Sequence, residues 1–144
     1  LRTAKSAYTG RDMQILAFRR ELKSKMQDLD MDESDASRYL NVGFSGGEKK
    51  KSEILQLSVL NPKLAILDET DSGLDVDAVK VISKNILKYK NDSNSLIIIT
   101  HITRILQDLS VDYVHVLADG AIAKTSDASL VEKISHYGFA SVIK

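Results

Sequence analysis

Apolar residues change their rhythm along this chain. In residues 1–41 they are sparse, and Ile15, Phe18, Leu22, Met26 and Leu29 recur at steps of three or four. That spacing draws one stripe on an α-helix and predicts a helical lobe with a single packing face. Asp30 to Asp35 reads as an acidic connector, and Ser34-Asp35-Ala36-Ser37 can start a short helix. A long helix is predicted from Gly46, stopped ahead of Pro62, the only proline. Beyond Asn61 the rhythm shortens. Leu64-Ala65-Ile66-Leu67 and Leu96 to Thr100 read as strands, with Leu96-Ile97-Ile98-Ile99 as a buried one. Val76 to Tyr89 and Ile102 to Leu109 read as helices. Tyr113 to Ala118 and Ala121 to Thr125 read as a strand pair turned by Asp119-Gly120, and Asp127 to His136 as a last helix. Strand alternating with helix argues an α/β fold with a parallel sheet.

Composition removes several function classes. The 144 residues are 43% hydrophobic, enough for one domain or two small lobes. Lys plus Arg and Asp plus Glu both total 20, so bulk electrostatics give no reason to expect a nucleic acid or an anionic membrane as partner. Cysteine is absent, which leaves no disulfide and no thiolate for a zinc or iron–sulfur site. No apolar run approaches a membrane span, so direct membrane insertion is not expected. With no signal-peptide pattern, the expected location is cytoplasmic, or an organelle matrix such as that of a plastid.

Four short segments carry candidate chemistry, and each admits a plainer account. Ser45 and Glu48 have the spacing of a helix capping box. Yet Gly46 and Gly47 in the first turn are poor helix formers; their use is to let another group approach the backbone amides, as a phosphate does at a helix N-terminus. The strand Leu64 to Leu67 ends in Asp68-Glu69. Carboxylates at that end of a parallel strand face the usual ligand crevice, where Asp68 can hold Mg²⁺ through water and Glu69 can orient or deprotonate an attacking water. A simple turn explains the pair as well. Ser72-Gly73-Leu74-Asp75 can be a turn with Asp75 as N-cap. His101, directly after a predicted strand, can be structural.

Together, in this order, the segments resemble the second half of an ABC ATPase. Ser45-Gly46-Gly47-Glu48 resembles the signature motif, with Phe44 for its leucine and Glu48 for its glutamine. Leu64 to Glu69 resembles the Walker B strand and catalytic glutamate, Ser72 to Asp75 the D-loop, and His101 the switch histidine. The spelling Asn41-Val42-Gly43-Phe44-Ser45-Gly46-Gly47-Glu48-Lys49-Lys50 is similar to the SufC family of iron–sulfur cluster assembly ATPases. So is Asp68-Glu69-Thr70-Asp71-Ser72-Gly73-Leu74-Asp75, where most ABC ATPases end in Pro-Thr-Ser-Ala-Leu-Asp. Lys51, Ile102 and Ser126 depart from that family's usual residues without removing a catalytic group.

The resemblance implies the C-terminal part of an ABC ATPase, a P-loop NTPase domain. Residues 1–44 would be part of its helical subdomain and 45–144 the C-terminal half of its catalytic core. It implies ATP and Mg²⁺ as cofactors. It also implies an ATP-dependent self-dimer in which Asp68, Glu69 and His101 serve nucleotide in cis, while Ser45, Gly46, Gly47, Glu48 and Asp75 serve it in trans. Partners would be SufB-like and SufD-like scaffold proteins, remodelled by dimerisation; the alternative is the nucleotide-binding subunit of a membrane transporter. The sequence has no G-x-x-x-x-G-K-[ST] phosphate loop. The chain is therefore expected to be a fragment, inactive alone, of a longer ATPase.

Overall fold

The computed structural model describes residues 1–40 and 42–143. They form two compact units, Leu1–Thr100 and His101–Lys144.

The first unit opens with α1 (Arg2–Thr9), closed by Gly10 in the left-handed conformation. Helix α2 (Ile15–Asp28) follows, then a single 3-10 turn at Glu33–Ser37. The Asp32 side chain caps that turn by accepting from Ser34 N. The stripe expected on α2 is largely present: Phe18, Met26 and Leu29 are buried and Leu22 is half-buried. Ile15 departs from it. At the first position of the helix it is 57% exposed, because no neighbour among the described residues covers the N-terminal end of the stripe.

Helix α3 (Gly46–Leu60) is the spine, packing against α1, α2 and α4 (Val76–Tyr89). Ile54, Val59, Ile82 and Ile86 are wholly buried. Asn61 ends α3 in the left-handed conformation before Pro62. Polar groups tie the helix ends together. Asn85 Nδ2 donates to Asp28 O (2.9 Å), Lys51 Nζ donates to Asp30 O (3.1 Å), and Tyr89 OH donates to Pro62 O (2.7 Å). Each satisfies a carbonyl near a helix C-terminus.

Strands β1 (Leu64–Asp68) and β2 (Ser95–Ile99) pair in parallel, Leu64 opposite Ser95 through Asp68 opposite Ile99. Alternation puts Ala65 and Leu67 on the buried face. The opposite face is open: Leu64 is 53% exposed, Ile66 60%, Ile97 49% and Ile99 51%. The buried strand expected at Leu96 to Ile99 is thus corrected. An apolar run reports affinity for a core, but burial on both faces needs a layer on each, and among the described residues only one face is covered.

The second unit begins with a 3-10 turn at Thr103–Leu106 instead of the helix expected over 102–109. Ile102, at its start, offers no side-chain cap, and the turn closes with i to i+3 bonds such as Gln107 N to Arg104 O (3.3 Å). Strands β3 (Val114–Ala118) and β4 (Ala121–Ser126) form an antiparallel hairpin with an irregularity at Val116/Leu117. Asp119 (φ 50°) and Gly120 (φ 76°) are both left-handed, as a tight two-residue turn requires. Helix α5 (Ser129–Tyr137) completes a small core of Val116, Leu130, Ile134 and Val142.

Candidate functional site

Ser45 is the N-cap of α3, and a complete capping box forms there. Ser45 Oγ accepts from Glu48 N (3.3 Å), and Glu48 Oε2 accepts from Ser45 N (2.6 Å). The backbone donation from Ser45 lowers the Glu48 pKa first, its side-chain bond next, with lesser help from the Arg38 and Lys51 charges against a small cost of desolvation. The structural account of this motif is therefore met in full. The box occupies Ser45 and Glu48 but explains nothing about the glycines. Neither Gly46 nor Gly47 has positive φ. A methyl group on Gly46 would meet nothing within 4 Å, and one on Gly47 would make only ordinary contact, 3.6 Å from Leu74 Cδ2. The fold itself does not demand glycine at either position, although both weaken the helix. The Leu74 side chain thus lies beside the first turn of α3, within the Ser72-Gly73-Leu74-Asp75 turn.

Asp68 is the last residue of β1 and is exposed; Glu69 follows, also exposed. Glu69 adopts φ 46°, a conformation that costs a non-glycine residue about 1–2 kcal/mol. Two bonds hold it there. Glu69 N donates to Ile99 O (2.8 Å), continuing the ladder past β1, and Glu69 O accepts from Ser72 N (3.1 Å), closing a turn. Thr70 and Asp71 are buried inside that turn. Asp71 Oδ2 accepts from Thr100 Oγ1 (2.8 Å), joining the exits of β1 and β2 a second time. Asp71 Oδ1 has no hydrogen-bond partner among the described residues. Asp75 caps α4, its Oδ1 accepting from Ala78 N (2.8 Å).

One compact unit thus carries Ser45, Gly46, Gly47, Glu48, Asp68, Glu69 and Asp75. His101 is exposed and is the first residue of the other unit. Sequence reasoning assigned no part to Arg38 or to the side chain of Asp71. Asp71 had one signal, a carboxylate where the resemblance gives threonine in most relatives; Arg38 had only its i+3 spacing from Asp35. Among the described residues, no cluster of three or more His, Cys, Asp or Glu could cage a metal. A single exposed carboxylate at Asp68 fits Mg²⁺, which keeps several waters and takes other ligands from substrate phosphates.

The chain resembles known proteins over most of its length. It is 47% identical over 137 residues to "Probable ATP-dependent transporter ycf16" of Antithamnion sp., covering 94% of this chain and 55% of the relative. It is 45% identical over 130 residues to "Vegetative protein 296" of Bacillus subtilis, covering 90% and 50%. A "Probable ABC transporter ATP-binding protein" of Streptococcus pyogenes serotype M3 is 49% identical over 125 residues, covering 87% and 49%. No protein-family model matches. Among solved structures, the ATP binding subunit of an ABC transporter superposes with TM-score 0.68 at 20% identity, over 95% of this chain and 55% of that one.

The fold is that of an ATP-binding cassette.

A nucleotide-free cassette from an ABC transporter agrees, with TM-score 0.63 at 21% identity over 87% of this chain and 48% of that one. The chain spans about half the length of the curated relatives it matches. Sequence and fold together support an ATP-binding domain of the general ABC type. They do not single out the SufC family, and the printed names of the relatives that mention a role speak of transporters. Among the described residues, no helix of the cassette is long and apolar enough to cross a membrane.

Proposed function

We propose that residues 1–144 belong to the ATP-hydrolysing subunit of an ABC system and supply its signature and catalytic glutamate. Residues 1–44 would be part of the helical subdomain and 45–144 the C-terminal half of the core. The observation that carries the reading is the Gly46-Gly47 pair at the head of α3: two glycines that weaken the helix and that the fold does not require. Their remaining use is close approach of a phosphate to backbone amides. The strand-end carboxylates of the same unit supply the complementary chemistry.

In this reading two copies sandwich two ATP molecules. Asp68 would hold Mg²⁺ through water, and the ion would neutralise charge on the terminal phosphates. Glu69 is the base that orients water, and His101 hydrogen-bonds the γ-phosphate. Ser45, Gly46, Gly47, Glu48 and Asp75 face the other copy's nucleotide. The triphosphate also needs a phosphate loop, which these residues do not contain and another segment of the cassette would provide. The partner favoured by the relatives' names is a membrane permease. The Lys49-Lys50 and Thr70-Asp71-Ser72-Gly73 spelling favours a second reading, soluble SufB-like and SufD-like scaffolds. Co-purification with one or the other separates them.

The test uses a complete cassette that contains this chain. Glu69→Gln should keep ATP binding, slow turnover by about a hundredfold or more and accumulate a dimer, as loss of a water-positioning group does. Ser45→Arg should bind ATP as a monomer and fail to dimerise. Mixing the two variants rebuilds one intact site per mixed dimer. A mixture no more active than either variant alone refutes the two-copy site.

A further inference from the structure

Arg38 lies outside the four segments with candidate chemistry, yet it grips the backbone that leads into Ser45. Its Nη1 donates to Asp35 Oδ1 at 2.7 Å, and that carboxylate is itself nearly buried. Its Nη2 donates to Gly43 O at 2.5 Å and lies 3.4 Å from Val42 O. The guanidinium carbon sits 4.4 Å above the Phe44 ring, and Phe44 is buried. Gly43 is left-handed at φ 70°, and a methyl group there would come within 3.0 Å of Arg38 Nη2. One planar fork therefore spans the 3-10 turn at Asp35, two successive carbonyls and the ring next to the signature serine. The same cation also favours the ionised Glu48 of the capping box.

Nothing else about Arg38 calls for so many partners. It is partly exposed, and an exposed ion pair alone contributes little to stability. What its geometry fixes is direction. With Phe44 anchored and the carbonyls of Val42 and Gly43 turned toward the fork, the chain enters Ser45 along one path, and α3 aims its first amides one way. Lysine could supply the charge but neither the fork nor the flat face that covers Phe44.

We infer that Arg38 is a positioning residue for the signature helix, setting where the Gly46-Gly47 amides point. The inference rests on the proposed role of those amides toward nucleotide. A signature misplaced by a fraction of an ångström still leaves nucleotide bound by the rest of its own cassette, so the loss falls on turnover.

Arg38→Lys and Arg38→Ala are to be compared in two ways. In the 144-residue chain, amide hydrogen exchange at Ser45 and Glu48, whose N–H groups the capping box holds, should quicken by about tenfold in both variants, while amides around Ile54 and Ile82 exchange as before. In a complete cassette, both should lower kcat by about tenfold or more with KM for MgATP within about twofold of wild type. Unchanged exchange at Ser45 and Glu48, full activity in Arg38→Lys, or parallel loss of kcat and MgATP affinity overturns the inference. Ser45→Arg, run alongside, keeps the two failures apart. If Ser45→Arg leaves turnover intact, the proposed function fails, and exchange at Ser45 and Glu48 still decides whether Arg38 orders the helix entry. If Ser45→Arg abolishes turnover and the Arg38 variants match wild type, only the inference about Arg38 fails.

Discussion

Thr100→Val is a sharp test of how the turn that follows β1 is held. Valine has nearly the shape of threonine, so the change removes a hydroxyl and leaves volume almost untouched. That hydroxyl is the donor to Asp71 Oδ2 at 2.8 Å, and Asp71 is only 1% exposed. Its other oxygen already lacks a hydrogen-bond partner among the described residues. The variant would therefore leave a buried carboxyl without its one side-chain donor. Removing one member of a buried pair costs more than the pair's net worth, because the other stays desolvated; about 2 kcal/mol is expected, within a range of about 1–3. With a urea m-value of about 1–3 kcal/mol/M, the unfolding midpoint of the 144-residue chain should fall by roughly 1 M. Far-UV circular dichroism during urea titration measures this directly. Thr100 makes other interactions too, so the double-mutant cycle with Asp71→Ala isolates the pair. Asp71→Asn keeps an acceptor for Thr100 and should cost less than Thr100→Val. A midpoint unchanged by Thr100→Val, or strict additivity in the cycle, would show that the two strand exits are held by something other than this bond.

Two further outcomes follow from local geometry. Gly120 sits at φ 76° in the β3–β4 turn, so Gly120→Ala should cost the second unit about 1 kcal/mol, readable as a lower thermal midpoint. On the acid side, Glu48 is lowered from 4.5 by the Ser45 backbone bond first, and Asp32 and Asp127 from 3.8 by side-chain bonds to Ser34 and Ser129 first. A carboxylate with a depressed folded pKa contributes stability that is complete above its unfolded value and is lost as pH falls through the folded one. Stability from these caps should thus be level near neutrality and decline only below about pH 4.5, and in Ser45→Ala the Glu48 titration followed by NMR should move up toward its ordinary value.

Much of this architecture was legible because local rules and global packing agree. The helix Val76–Tyr89 has a cap residue, Asp75, and an apolar stripe whose members Val79, Ile82 and Ile86 are buried. The turn Asp119-Gly120 has the residue types its dihedrals require. Where expectation and structure part, one segment lacks a cap and the other lacks a covering layer among the described residues. Ile102, Ile105, Leu106 and Leu109 have helical spacing, yet with no cap and few residues the segment closes only 3-10 bonds. Ile97 and Ile99 look like core, but a strand's own residues cannot say how many layers cover its sheet.

The candidate site divides along the same line. Its acids were visible because Asp68 and Glu69 end an apolar strand, a place where chemistry gathers in parallel sheets. Its supports were not, because Arg38 and Asp71 act through partners 5 and 29 residues away in the chain. A resemblance transfers the residues that touch substrate; it says little about those that aim them. Arg38 ahead of α3 and Asp71 beneath Glu69 flank the two elements from which the composite site would be built, one orienting the amides and the other the base. The arrangement has a physical logic. In the proposed site the groups that would serve the nucleotide are glycine amides and exposed carboxylates, which must stay bare to work, so their rigidity would have to come from side chains that never touch it.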